Sequence, residues 1–404
     1  MTAVGSLGET DPDTASGRQT RPSMAPVTAS FVLFGIYWGS WAIAAADVER
    51  SLGLSHGRFG LLLSIGLGGA AVANGVGGAL TERFGTGRVL SVSLALWGAL
   101  LLAGAAVASV AEPWGFGIAL VLAIAVGGVV DVVMNVAAVA ALAEKPGALV
   151  RFHARFNVGA AAGALVTGLL IGAEISWRWS WAVVGVVALG LAAWCARAAL
   201  PAGEPGGHVP LLDTVPLLRR ERLVLVAVAF AVGGMVEGGI ELWGVLFLRT
   251  FLESGLPVAV GSAVGGYLVA AAARLAFGPA AGRRGAARGV TVGAAIAFVG
   301  VLVLGLAPAA WVSGLGLVLA AGGISMCWPL LLAHASEGRA RPAAIVGSVT
   351  AVGYLGFVAG PTIVGWVAAA FGLRAGLLLL AVAAAFVAIV PTVSSVGAER
   401  EARP

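Results

Sequence analysis

The sequence predicts an all-α membrane protein of twelve transmembrane helices arranged as two pseudo-symmetric bundles of six. Three observations predict it. The 404-residue chain is 59% hydrophobic and 11% charged, with a mean hydropathy of +0.99, whereas soluble domains carry about 25% charged residues. Charge-free windows of about 20 residues, long enough for a hydrocarbon core about 30 Å thick, recur along nearly its whole length. Each is far longer than the alternating strands of a barrel, so each reads as a helix that satisfies its own backbone in lipid. Finally, "GALTERFGTGR" (78–88) and "GPAAGRRGAAR" (278–288) share a frame: Gly78, Arg83, Gly85 and Arg88 recur as Gly278, Arg283, Gly285 and Arg288, each 200 positions on. An internal repeat at that offset divides the chain into two like halves.

Taken in order, residues 1–24 are polar, with no basic group ahead of a short apolar core, and read as a disordered tail instead of a signal peptide. The first bundle (25–200) holds spans at 26–46, 58–80, 88–110, 115–141, 153–175 and 179–200. Residues 201–221, "PAGEPGGHVPLLDTVPLLRRE", carry four prolines and a charge cluster and form the linker. Its "VPLLDTVPLLRRERL" portion reads either as a short amphipathic piece on the membrane surface or as plain loop. The second bundle (222–394) holds spans at 223–247, 258–281, 289–309, 310–333, 342–370 and 373–394, and 395–404 forms a second tail. Cys195 and Cys327 lie in separate apolar spans and read as small buried hydrophobes, not a disulfide.

The net charge of +5 does not indicate nucleic acid, because the basic residues are scattered over short loops. Their distribution reports orientation. With the N-terminus inside, the inner connections hold Arg83, Arg88, Lys145, Arg151, Arg219, Arg220, Arg222, Arg283, Arg284, Arg288, Arg339 and Arg341, against Arg50, Arg58, Arg178, Arg249 and Arg374 on the other side. Both termini are therefore expected in the cytoplasm.

The first repeat loop, with Gly78, the acid Glu82, Arg83, Gly85 and the basic end Arg88, resembles the signature of the major facilitator superfamily. "SWAIAAADVERSLGLS" (40–55), "DVVMNVAAVA" (131–140), "FHARFNVGAAAGA" (152–164), "EGGIELW" (237–243) and "VGYLGFVAGP" (352–361) resemble its YbjJ-like branch, related to the fucose permeases. The resemblance spans about residues 30–395. It implies that the first, fourth, seventh and tenth helices line a central cavity and that the Glu82–Arg83 loop, with Arg283 opposite, bolts the cytoplasmic seam. The chain departs from the branch at Ala44 and Ala46, where an Arg and a Pro are usual, at Leu242, where the acid has moved to Glu241, and at Gly282 in the second loop.

An ionised side chain at the bilayer centre costs a few kcal/mol, so it persists where it meets water, a partner or a cargo. Asp131 lies about ten residues, roughly 15 Å, from the inner end of the fourth helix, with Asn135 on the same face. Cavity and structural roles both fit this pair. Glu237 and Glu241 form a second i, i+4 pair, in the seventh helix, where two carboxylates on one face resist double ionisation. Arg274 of the eighth helix reads either as the partner of a carboxylate in a proton-coupled switch or as half of a static ion pair with Glu237. Tyr37, Trp38, Trp41 and Trp328 are aromatic candidates for stacking on a cargo, with core packing as the alternative. His153 and His334 read as hydrogen-bonded helix-end residues, with a gating role for His153 as the alternative. The small residues of "GAAAGALVTG" in the fifth helix and "GYLGFVAGP" in the eleventh allow helices to approach closely, and place those helices at the seam between the halves.

No phosphate-binding loop, His/Cys metal spacing, cofactor motif or other enzyme signature occurs in the sequence. The expectation is a secondary transporter of the bacterial inner membrane, acting as a monomer on a small-molecule substrate, with protons as the coupling ion. Import of a sugar-like solute and export of a cationic drug or metabolite stay open, as does a transport-inactive sensor or scaffold.

Overall fold

The computed structural model describes residues 22–108, 113–142, 147–202, 211–339 and 341–401. Residues 1–21 of the expected N-terminal tail and Lys145 lie outside the described residues. Among the described residues twelve helices are long and apolar enough to cross a membrane, so the chain is a multi-pass membrane protein. The first half comprises α1 (Ala25–Leu52), α2 (His56–Phe84), α3 (Thr86–Val107), α4 (Pro113–Leu142), α5 (Ala148–Gly172) and α6 (Arg178–Arg197). After the short α7 (Leu211–Arg220) come α8 (Val224–Gly239), continued by π turns at Ile240–Gly244 and Phe247–Phe251, α9 (Leu256–Arg284), α10 (Ala286–Leu306), α11 (Ala310–Ile324), α12 (Cys327–Ser336), α13 (Pro342–Phe371) and α14 (Leu373–Glu401). The seventh span is α8 with its π turns, and the tenth is α11 with α12.

Helix pairing repeats between the halves. In the first, α1 packs on α5, α2 on α4 and α3 on α6; in the second, α8 packs on α13, α9 on α11 and α10 on α14. Numbered by span, these are pairs 1–5, 2–4 and 3–6, then 7–11, 8–10 and 9–12. The repeated loops share one design: α2 ends at Phe84 and α3 starts at Thr86 across Gly85 at φ 83°, while α9 ends at Arg284 and α10 starts at Ala286 across Gly285 at φ 87°. A side chain at either φ would be strained, which accounts for glycine at both.

Helices outrun the apolar windows because hydropathy marks contact with lipid whereas hydrogen bonding continues into the flanks. α1 continues six residues past the expected end at 46, and α14 extends to Glu401 where a tail was expected from 395. The amphipathic part of the linker is the helix α7, which buries Leu218 and packs against α13 and α8. An ion pair of 3.1 Å between Glu221 and Arg339 fastens its end to the tenth span.

The halves meet along two seams, α2 against α13 and α5 against α9. The fifth-helix glycines divide their work: Gly159 and Gly163 let α5 lie against the α1 backbone within one half, while Gly168 meets Val260 across the seam. On the α2/α13 seam, the contact is tightest at the face opposite the chain termini. There a Cβ on Gly60 would land on the Pro361 carbonyl oxygen, and the Thr362 amide donates to the Ser64 hydroxyl at 3.1 Å. Gly68 still faces Val358, but Gly75, further along the same side of α2, has open space, as has Gly347 of α13. The α2/α13 seam is thus shut at the opposite face and parts toward the face carrying both termini.

Candidate functional site

Two polar clusters sit inside the apolar bundle. The first joins the halves through α4 and α13. The Asp131 carboxylate accepts from the Asn135 amide at 3.0 Å and from the Tyr354 hydroxyl, on α13, at 3.1 Å. Asn135 is held by the helix turn itself, its amide nitrogen also donating to the Asp131 carbonyl at 3.0 Å. Its side-chain oxygen lies 3.1 Å from Nε2 of His153, whose Nδ1 lies 2.9 Å from the Leu149 carbonyl. Both ring nitrogens therefore face oxygen atoms, and a neutral imidazole, which donates from one nitrogen, satisfies only one of them. His153 is a helix-end residue as expected, and it is also the fourth member of the Asp131 chain.

The second cluster is built around Arg274 of α9. Its Nη2 donates to Glu237 at 2.6 Å, its Nη1 to Asn157 of α5 at 3.2 Å, and its Nε to the Ser325 carbonyl at 3.1 Å. Local sequence explains the last bond. Pro329 has no N–H for the carbonyl four residues before it, the tenth span breaks between Ile324 and Cys327, and the freed Ser325 oxygen takes a guanidinium proton. One side chain thus joins the fifth, seventh, eighth and tenth spans.

Glu241 shares the first π turn with Trp243 and lines a small cavity with Glu237 and Tyr267. Wide π turns are frequent at functional sites. The cavity's lining comes from the seventh, eighth and tenth spans alone, so Glu241 faces the interior of the second half, where the sequence reading placed it in the central hollow.

The aromatic candidates separate in the same way. Tyr37 and Trp41 are 1% and 4% exposed; Tyr37 packs against Trp97 and Trp181, and Trp41 stacks on Trp181 with ring centroids 5.4 Å apart. Both belong to the core of the first half, because an aromatic stack on α3 and α6 encloses them, and they are not available for stacking on a cargo. Trp38 and Trp328 are half-buried, the latter leaning on Phe230 and Phe357.

At the signature loop Gly78 is buried, Glu82, Arg83, Gly85 and Arg88 are exposed, and the Arg83 guanidinium lies over the Phe84 ring. The Arg283 side chain lies outside the described residues. Cys195 and Cys327 are buried free thiols, and among the described residues no three His, Cys, Asp or Glu side chains converge as a metal site.

Sequence reasoning missed a third group, at the shut face. Arg249, in the second π turn of the seventh span, donates to Asp47 of α1 at 2.7 Å and to the Ile43 carbonyl at 2.6 Å. Beside it His56 and Glu49 lie 2.6 Å apart, and the His56 ring meets Trp243 edge-on at 6.0 Å. These residues adjoin a pocket of about 480 Å³ lined from both halves, by Glu49, Arg50 and His56 and by Thr250 and Ala368. Asp47 stood within the quoted "AAADVER" and Arg249 was counted as a loop charge. The signal was that Asp47 is the first charge along the first helix and Arg249 the last along the seventh, its pseudo-symmetric partner, so that both fall near the same end of the bundle.

Comparison with known proteins supports the fold. Residues 27–341 match the family model described as Major Facilitator Superfamily. An uncharacterised MFS-type transporter of Yersinia pestis is 30% identical over 371 residues, covering 88% of this chain and 92% of the relative. Among solved structures, the nucleoside transporter NupG superposes with a TM-score of 0.70 at 14% identity, covering 91% of this chain and 98% of that one. A D-xylose-proton symporter gives 0.65 at 17%, covering 91% and 96%.

Proposed function

This chain belongs to the major facilitator superfamily, and from that premise we propose that it is a secondary active transporter. It moves a small organic molecule across the bacterial inner membrane by alternating access, driven by protons, with both termini in the cytoplasm. One observation carries the reading: two buried charged clusters, Asp131–Tyr354 and Asn157–Arg274–Glu237, each join one half to the other inside the bundle. Bonds of that kind must break and re-form when the halves rock, so occupancy of a carboxylate by a proton or a cargo is converted into a choice between faces. The seam, shut at the Asp47–Arg249 end, corresponds in this reading to the carrier open to the cytoplasm.

The charge balance favours one cargo class over the other. In the two clusters that join the halves, two carboxylates, Asp131 and Glu237, stand against a single guanidinium, Arg274, and an acidic excess attracts cations. Export of a cationic metabolite or drug therefore takes precedence over import of a sugar-like solute. Two experiments test these statements. Asp131→Asn, Glu237→Gln and Glu241→Gln are each reconstituted and assayed for pH-driven transport; undiminished proton coupling in all three ends the assignment. Cationic dyes compared with radiolabelled sugars, in inside-out and right-side-out vesicles, decide cargo and direction. A protein stabilised by neither, and moving neither, would be a sensor or scaffold.

A further inference from the structure

Glu241 differs from the other buried carboxylates in having no partner. Asp131 accepts from Tyr354 and Asn135, and Glu237 pairs with Arg274, whereas no hydrogen bond or ion pair joins Glu241 to another described residue. The bonds of Arg274 go to Glu237, Asn157 and the Ser325 carbonyl, and none reaches Glu241. Glu237 and Arg274 cancel in charge, which leaves the Glu241 carboxylate as an uncompensated single negative charge inside the second half.

An independent feature sits across the same cavity. Tyr267 of α9 is 5% exposed, and its hydroxyl is buried with no hydrogen-bond partner. An orphaned buried hydroxyl is costly, and it is rare without a water or ion to meet it. Glu237, Glu241 and Tyr267 line one cavity of about 20 Å³, closed by Ala270, Leu317 and Ala321. That volume admits a single water-sized occupant. The groups facing it are therefore two carboxylates and a phenol; the Arg274 guanidinium and the Cys327 thiol stand behind Glu237, and α11 presents only apolar side chains.

We propose that this cavity is the coupling-cation site of the carrier: a one-ion site for a monovalent cation, held by the Glu241 carboxylate and the Tyr267 hydroxyl and separate from the cargo-facing Asp131 cluster. The single uncompensated charge matches one monovalent ion. Either a proton, carried on Glu241 and hydrogen-bonded through one water to Tyr267, or a sodium ion between the two supplies the missing charge. Glu241 lies in the π turn at Ile240–Gly244 and lines the cavity opposite α9. Arg274, which pairs with the neighbouring carboxylate and reaches α5 across the seam, links occupancy of this site to the contact between halves. The inference rests on the transporter reading for its purpose, but equilibrium cation binding needs no cargo and is measured apart from it.

The test uses the full-length purified protein in detergent. Unfolding midpoints are compared in sodium chloride and choline chloride at equal ionic strength and fixed pH, and proton uptake is measured with an indicator dye during a pH jump. Wild-type protein is expected either to gain several degrees in sodium, or to take up a proton with no sodium effect; the first result makes it a sodium site and the second a proton site. Glu241→Gln is expected to lose whichever signal is present, Tyr267→Phe to weaken it about tenfold, and Glu221→Gln, in the linker, to retain it. A Glu241→Gln protein with the full wild-type signal, or a wild type with neither signal, overturns the proposal. If Glu241→Gln does not fold, an undiminished signal in Tyr267→Phe overturns it equally. Absence of cargo flux in proteoliposomes would count against the transporter reading alone.

Discussion

The Asp47–Arg249 pair is expected to set how often the shut face opens. Its side chains are 19% and 12% exposed, with a closest approach of 2.7 Å, so it is screened less than a surface bridge and desolvated less than a fully buried one. Asp47→Asn keeps an acceptor oxygen and loses the charge. Arg249 retains its bond to the Ile43 carbonyl, so the loss falls near the upper end of exposed pairs, about 1 kcal/mol, or about fivefold in the population opened at that face. Arg249→Met removes the bonds to Asp47 and to Ile43 together. Asp47 is not orphaned by this, since Arg50 lies 3.4 Å away, so a loss of about 2 kcal/mol, roughly thirtyfold, is expected. The assay is the rate of thiol labelling at Ala46→Cys in detergent, because Ala46 is 3% exposed and borders the opposite-face pocket, while the native thiols are buried. Labelling should accelerate in the order wild type, Asp47→Asn, Arg249→Met, with the double variant no faster than Arg249→Met. Rates within twofold of one another, or fully additive effects, would refute the reasoning.

Three further outcomes follow from the same geometry. Arg274→Met should strand the buried Glu237 carboxylate and cost about 3–5 kcal/mol, seen as a large fall in the unfolding midpoint; Glu237→Gln in the same chain should recover most of it without restoring transport, and no recovery would mean that Arg274 acts through Asn157 or Ser325 instead. Gly60→Ala places a methyl against the Pro361 carbonyl oxygen and should raise Ala46→Cys labelling severalfold, whereas Gly75→Ala, in open space on the same helix, should not. Tyr354→Phe removes one donor from a buried carboxylate, worth about 1–3 kcal/mol, and should lower apparent affinity for cargo at least fivefold in an uptake assay with little change in the unfolding midpoint.

The architecture was legible because lipid imposes one rule on every window, that a charge-free stretch of bilayer length be helical. The glycine at 85 and its repeat at 285 carried the two-half organisation, since a positive φ between consecutive helices leaves a residue-level trace. Asp131, Asn135, Glu237 and Arg274 were legible for the same reason, as polar groups in apolar runs. What the sequence did not reveal was direction. Tyr37 and Trp38 are adjacent, yet one is enclosed by Trp97 and Trp181 and the other is half-buried. Glu241 sits in a π turn and lines a cavity with Glu237 inside the second half, and π turns have no pattern in composition. Tyr354 and Tyr267 became visible only when tertiary packing brought them to Asp131 and Glu241, and Asp47 met Arg249 only across a separation of 202 positions.

The break in the tenth span has an evolutionary corollary. A proline there withholds one amide hydrogen, and the carbonyl it leaves idle becomes a receptor for Arg274, so main chain does work that would otherwise need a polar side chain. Each residue constrains the other: a descendant that lost the arginine would be left with an unsatisfied oxygen, and one that lost the proline would have a helix competing for it. Substitutions at 274 and 329 should therefore travel together as this lineage diverges.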